Sequence, residues 1–366
     1  MTGRAAPGTG VPRDSGSRTL AVLPYAVMAV VAVADVAAGP SVGLLPLVSV
    51  GPALAGLVGD RRRTAFIGVL GLLLCLLLGA NSGLLGTRRV VTAMAAVACV
   101  TATGLLAVAM RERRERELAD VRAVAEVTQR VLLRPVPERA GPLRVAVSYT
   151  SATAQARIGG DLYDVVVTGD RVRVIVGDVQ GKGLEAVGTA AVVLGAFREA
   201  AHDERDLRDV GARLERSADR ELHGGKFVTA VLAELRGDGT ALVLNYGHPA
   251  PLLVGADGTS RFAEPRERAL PLGLGVHETA GPAARPVPFG PGDRLLLYTD
   301  GVSEARDRHG DFYPLPARAR LLRDGAPGTA LKALRGDLVK HAGGPLHDDA
   351  AMLLVAAEHE VPPPER

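Results

Sequence analysis

Apolar residues are spread unevenly along this chain. Between residues 20 and 110 charge almost disappears, and the sequence breaks into four apolar runs, Leu20–Ala38, Val42–Gly59, Thr64–Ala80 and Val90–Met110. Each is near the ~20 residues that a helix needs to cross the hydrocarbon of a bilayer. The pattern predicts a four-span transmembrane region over residues 20–110, preceded by a disordered cytosolic stretch at 1–19. One such run at the start could be a cleaved signal peptide, but three more behind it read as an anchor in a lipid bilayer.

After the last run the texture changes. Residues 111–142 read as a connector helix and linker. The helix covers Arg111–Leu133 and stops at Pro135 and Pro137. Leu118, Val121, Ala125, Thr128 and Leu132 recur at 3-4-3-4 spacing, which fits either packing on the chain's own domain or a short contact in a homodimer. From 143 to 357 short apolar runs alternate with turn residues. The runs "RVRVIVGDV", "FVTAVLAEL", "ALVLNYGHPAPLLV", "DRLLLYTDGV" and "DDAAMLLVAA" predict strands, and the third, with Gly247 and Pro249 in its middle, predicts a hairpin. Helices are expected over Leu184–His202, Asp206–Glu221 and parts of Ala317–His341. Strands in runs with grouped helices point to an α+β layered domain. Residues 358–366 read as a disordered tail.

Charge orients the membrane half. Arg4, Arg13 and Arg18, then Arg61–Arg63, then Arg111, Arg113, Arg114 and Arg116 fall on one face after four crossings, with only Arg88 and Arg89 on the other. The positive-inside rule makes that face cytoplasmic, which predicts a multi-pass plasma-membrane protein with its C-terminal domain in the cytoplasm. Elsewhere composition mainly excludes. A net charge of +3 with 3% aromatic residues and no tryptophan gives no aromatic–basic surface, so no nucleic-acid partner is expected. The two cysteines, Cys75 and Cys99, lie inside apolar runs, so neither a disulfide framework nor a thiol nucleophile follows.

The stretch "VIVGDVQGKGLEA" tests for phosphate-cradling chemistry. A P-loop needs four residues between its first glycine and Gly-Lys, then Ser or Thr. Here three residues separate Gly177 from Gly181 and Gly183 follows Lys182, so that reading fails. What remains is Asp178 at the end of a buried run before a glycine turn. The arrangement recurs at Asp161 and Asp164 in "GGDLYD", at Asp300 in "YTDGVSE", and at Asp348 and Asp349 in "HDDAAMLLV". Carboxylates abutting apolar strands repel unless cations neutralise them, and Mg²⁺ or Mn²⁺ fit an oxygen-only set.

The strings "GGDLYD" (159–164), "GDVQGKG" (177–183), "FVTAVLAEL" (227–235), "NYGHPAPLLV" (245–254), "LLLYTDGVSEARD" (295–307) and "DDAAMLLV" (348–355) resemble, in that order, the metal-dependent protein phosphatase 2C superfamily, most closely its bacterial SpoIIE-type branch. The resemblance implies a four-layer αββα sandwich with two metal ions between the sheets. By position it makes Asp161, Asp178, Asp300 and Asp348 the catalytic metal ligands, with the backbone carbonyl of Val179, and keeps Asp349 as an alternative to Asp348. Arg157 matches a phosphate-binding arginine of eukaryotic relatives. The implied activity is phosphoserine or phosphothreonine hydrolysis with two Mn²⁺ or Mg²⁺ ions, on an anti-sigma-factor antagonist or similar regulatory phosphoprotein.

Other readings are weaker. "GGDLYD" is similar to the "GGDEF" string of diguanylate cyclases, but Leu162 and Tyr163 replace Glu and Phe, and two acidic turns are left without a role. A catalytically silent membrane scaffold is the non-enzymatic alternative, and the presence of all four carboxylates speaks against it. His248 and His347 read first as turn residues, with support of the metal ligands or proton transfer as the alternative, and Lys182 and Lys226 as surface lysines able to steer phosphate.

Overall fold

The contrast between the two halves of the sequence reappears as two units, Met1–Asp120 and Val121–Arg366. The computed structural model describes residues 15–39, 42–151, 159–222, 225–236, 238–267, 269–274 and 281–358.

The first unit holds helices α1 (Ser15–Ala38), α2 (Val50–Val58), α3 (Arg61–Asn81) and the N-terminal part of α4 (Arg88–Leu132). Among the described residues three stretches, Leu20–Ala38, Arg61–Asn81 and Arg88–Asp120, are long and apolar enough to cross a membrane. The expected Val42–Gly59 span differs from the other three. A 3-10 turn at Leu45–Ser49 with Pro46 runs into the nine-residue α2, together about 24 Å of helix. It nonetheless runs from one end of the bundle to the other. At one end Arg89 donates to the Val42 carbonyl. At the other, Arg63 donates to the Ala21 carbonyl, Arg111 to Leu57 and Gly59 at 2.8 and 2.7 Å, and Arg61 pairs with Glu112 at 2.8 Å. The middle and last arginine clusters therefore share one end with the start of α1.

Small residues let these helices approach. A Cβ on Gly56 would lie 2.9 Å from the Gly104 Cα, and one on Gly68 would lie 2.3 Å from the Thr101 side chain. Such contacts replace the hydrophobic drive that lipid cannot supply. Cys75 is buried between helices, whereas Cys99 is exposed on α4.

The connector is the continuation of α4, which runs on to Leu132. Of the 3-4-3-4 stripe, Leu118 and Thr128 are exposed and Leu132 is half-buried, while the side chains of Val121 and Ala125 lie outside those described. The exposed apolar face is instead Val124, Val127 and Val131.

The second unit contains two antiparallel sheets. One has strands β1 (Arg139–Ala140), β2 (Leu143–Thr150), β7 (Leu252–Val254), β8 (Ser260–Phe262), β10 (Arg294–Tyr298) and β11 (Ala350–Ala357), in the order β1-β2-β11-β10-β7-β8. The other has β3 (Asp161–Thr168), β4 (Arg171–Val179), β5 (Val228–Arg236), β6 (Thr240–Tyr246) and β9 (Arg285–Pro288), in the order β3-β4-β5-β6-β9. Their facing residues, among them Val145, Val174, Val231, Leu297 and Leu353, form the central core. Helices α5 (Leu184–Asp203) and α6 (Leu207–Glu221) cover the outer face of the second sheet through Phe197, Leu214 and Ile175. A 3-10 turn (Leu315–Leu322) and α8 (Pro327–His341) cover the first through Leu331, Leu334 and Met352. The result is the expected α+β four-layer sandwich.

The expected hairpin around Gly247 does not form: β6 and β7 lie in different sheets. Pro249 and Pro251 have no N–H to give a ladder, and Gly247 takes φ +67°, so the chain turns a corner between layers. A true hairpin joins β3 to β4 through Gly169 and Asp170, with Gly169 at φ +60°, the glycine position of a type II′ turn.

Inside the second unit Arg173 and Glu234 form a fully buried ion pair at 2.7 Å. The guanidinium also donates to the carbonyls of Ala201, Glu204 and Arg205 at 3.0, 2.7 and 2.8 Å, tying β4 to the end of α5.

Candidate active site

The β3–β4 register puts Asp161 directly opposite Asp178, at the end of the hairpin away from its turn. Asp300 follows β10 and opens the single helical turn α7 (Asp300–Ser303). Asp348 and Asp349 stand just before β11, the neighbour of β10. Adjacent strands of one sheet and a strand pair of the other thus deliver five carboxyl groups to one rim of the sandwich.

Three glycines make room for this approach. A Cβ on Gly159 would sit 1.3 Å from Oδ2 of Asp349, one on Gly160 would sit 2.4 Å from the Val179 carbonyl oxygen, and one on Gly301 would sit 1.8 Å from the Asp349 carbonyl oxygen. The Val179 carbonyl named from sequence is therefore at the rim, against Gly160.

Their charges act on one another. Burial, then the charge of Asp178, hold the Asp161 carboxyl well above the usual range, against a hydrogen bond from Thr299; Asp349 and Asp300 add to the effect. Asp178 is pushed up to about 7 by burial and then by Asp300 and Asp348. Asp300 is raised by burial and by Asp348 and Glu304. Only one lysine opposes this field. Lys182 donates to Oδ1 of Asp348, and its charge lowers Asp178 and Asp300. Among the described residues no three carboxyl, thiol or imidazole groups already stand in a closed ligand set. The donor set still suits hard divalent cations: acidic oxygens and a carbonyl, with partly buried carboxylates that are costly to ionise unless a cation is near.

The two members of the "DD" pair differ. Asp349 is buried against Gly159, whereas half of the Asp348 side chain is exposed beside Lys182. Arg157 lies outside the described residues. Lys226 pairs with Glu185 at the start of α5, and His347 is exposed beside Asp348.

Two contributors, Thr299 and Gln129, were not legible from sequence, and a third, His248, reads there first as a turn residue. Thr299, fully buried, donates its hydroxyl to Oδ2 of Asp161 at 2.8 Å and accepts from the Ala351 N–H at 2.9 Å. Gln129, near the end of α4, donates to the Tyr149 hydroxyl and to the Gly159 carbonyl at 2.9 and 3.2 Å. His248 bridges the sheets. Its Nε2–H donates to the Tyr298 carbonyl at 3.0 Å, which leaves Nδ1 to accept from Thr229 at 2.9 Å. Burial pushes this imidazole down to about 4, so it is neutral at ordinary pH.

A cleft of about 810 Å³ opens beside the carboxylates, lined by Asp178, Phe227, His248, Glu264, Asp300 and Glu304 among others.

The family model for stage II sporulation protein E (SpoIIE) matches residues 168–358, more than half of the chain. The chain belongs to the SpoIIE family. Solved structures agree on the fold. The RsbU and RsbW domains of Rv1364c from Mycobacterium tuberculosis match at 28% identity and a TM-score of 0.50, over 59% of this chain and 61% of that one. The PP2C phosphatase domain of SpoIIE from Bacillus subtilis, with a fragment of its regulatory domain, matches at 15% identity and a TM-score of 0.50, over 58% and 63%. The SiaA PP2C domain of Pseudomonas aeruginosa matches at 19% identity and a TM-score of 0.55, over 66% of this chain and 97% of that one. This SpoIIE-family chain thus spans about three fifths of the first two structures and carries their phosphatase fold, which leaves the cyclase reading of "GGDLYD" no place.

Proposed function

We propose that this protein is a membrane-anchored, metal-dependent phosphoserine/phosphothreonine protein phosphatase. Asp161, Asp178, Asp300, Asp348 and the Val179 carbonyl would hold two divalent ions, Mn²⁺ or Mg²⁺, with Asp349 next to Asp161. The observation that carries this reading is the gathering of Asp161, Asp178 and Asp300 at one rim, each raised by burial and by its neighbours. When bound, such ions lower the pKa of a water and clamp phosphoryl oxygens for in-line attack.

The chain's own residues prepare the site. Thr299 fixes the orientation of the Asp161 carboxylate. The Asp161–Asp178 register holds two acceptors side by side, and the glycines of "GGD" admit the Val179 carbonyl and Asp349. The cleft receives the polypeptide around the phosphorylated residue. His248 is a positioning residue, because both of its ring nitrogens are engaged within the fold. The two cysteines lie at 75 and 99, outside this unit, so no thiol nucleophile competes.

The substrate class is a regulatory phosphoprotein of the anti-sigma-factor-antagonist kind. The anchor is a multi-pass region whose arginine-rich end faces the cytoplasm. The exposed face of Val124, Val127 and Val131 favours a homodimer through the connector.

The test is hydrolysis of phosphoserine peptides and a phosphorylated antagonist by the full-length protein in detergent with Mn²⁺. Turnover that falls to background in Asp178→Asn and Asp300→Asn supports the reading. A folded, Mn²⁺-binding protein that hydrolyses none of these substrates would establish the silent scaffold instead.

A further inference from the structure

The "GKG" of residues 181–183 is not a phosphate cradle, yet its lysine pairs with one of the rim carboxylates, Asp348. We infer that Lys182 is a tethered cation that competes with a divalent ion for Asp348, making the Asp348–Asp300 side of the site its weaker, exchangeable half. This rests on the metal-dependent reading above.

Backbone geometry comes first. Gly181 and Gly183 adopt φ +101° and +89°, values that L side chains rarely take. Lys182 therefore rides on a loop bent twice between β4 and α5, and this bend carries its ammonium across to Asp348, 166 positions later. An ordinary surface lysine at a strand end would extend into water.

The electrostatics set the direction. Among the described residues, Lys182 is the cation seated on the Asp348 carboxylate, with both side chains only partly exposed. Asp348 Oδ1 already accepts from Lys182 and from the Asp349 N–H at 2.9 Å. A divalent ion that takes Asp348 as a ligand must displace this ammonium or bind beside a positive charge. Either way its binding weakens. Asp161 has no such competitor among the described residues: its recorded hydrogen-bond partner is the neutral Thr299 hydroxyl. The two halves of the site therefore differ in affinity.

The test is calorimetric titration of Mn²⁺ into the full-length protein in detergent, for wild type, Lys182→Met and Lys182→Arg. The expected result is two classes of site in wild type. In Lys182→Met the weaker class should tighten by about tenfold, the order expected for removing one positive charge near a divalent ion in a half-exposed site. Lys182→Arg should stay near wild type. If Lys182→Met aggregates, Lys182→Gln gives the same comparison. Unchanged or weaker binding in the neutral variants, beside normal wild-type binding, overturns this inference alone. A wild-type protein that binds no Mn²⁺ overturns the phosphatase reading and this inference with it.

Discussion

Thr299 and Asp161 stand 138 positions apart in sequence and are joined by a 2.8 Å hydrogen bond between the two sheets. The same hydroxyl oxygen accepts from the Ala351 N–H, so one small side chain aligns the leading carboxylate and closes the start of β11.

Replacing Thr299 with valine keeps the volume but removes both interactions. A buried N–H left unpaired costs about 1–3 kcal/mol, so a lower melting temperature is expected. Mn²⁺ affinity should fall by about tenfold, the low end for losing an outer-sphere partner of a ligand. Thr299→Ser should keep both properties. Thermal denaturation and metal titration of the three proteins check this.

Asp178 gives a pH-dependent prediction in the absence of metal. Its carboxyl is raised from 3.8 to about 7. A raised carboxyl favours folding while protonated, and that contribution is lost as pH rises from about 4 through 7. Asp178→Asn should therefore be more stable than wild type at pH 8 without metal, by on the order of a few kcal/mol, and melt at a higher temperature. It should also lose the upward shift that Mn²⁺ gives wild type. A metal-free variant less stable than wild type at pH 8 contradicts this.

His248 works in the opposite direction. Its folded pKa is lowered from 6.5 to about 4. The unfolded chain takes up a proton below 6.5 that the fold refuses, so stability is full above 6.5 and declines towards 4. The full loss is about 3 kcal/mol. Chemical denaturation of wild type and His248→Gln between pH 4 and 7 should show a shallower slope in the variant.

The Arg173–Glu234 pair predicts a purely structural defect. Arg173→Met strands three carbonyls and removes the cross-strand partner of Glu234, which keeps only Arg236 at 2.6 Å. A loss of about 3 kcal/mol is expected, with metal affinity unchanged in the protein that remains folded.

Gly301→Ala tests the crowding at the rim. The added methyl would meet the Asp349 carbonyl oxygen at 1.8 Å, so the segment before β11 must move. Phosphatase activity should be lost at temperatures where circular dichroism still reports a folded protein.

Much of this fold could be read from local pattern. "RVRVIVGDV" became β4 residue for residue, and the helices expected from 184 and 206 begin within a residue of those positions. Asp161, Asp178, Asp300 and Asp348 stood out because each abuts an apolar strand, and their charges act on one another in the fold, whereas Asp164, marked by the same pattern, pairs with Arg198. Thr299 escaped because a threonine at a strand end carries no signal until its distant partner is known. The burial of Asp349 rather than Asp348 depends on Gly159, which sequence places nearly two hundred positions away. The corner at Gly247 was misread because a glycine–proline turn looks alike whether the chain returns to the same sheet or crosses to the other.

Asp161 and Asp178 face each other only because β3 and β4 pair in one frame, and that frame is set at the far end of the hairpin by Gly169 and Asp170. Seven residues of strand, roughly 23 Å, separate the bend from the carboxylates. An insertion or deletion of a single residue there would turn one acid to the opposite side of its ribbon. The pairing of these two acids is thus hostage to the length of a remote two-residue link.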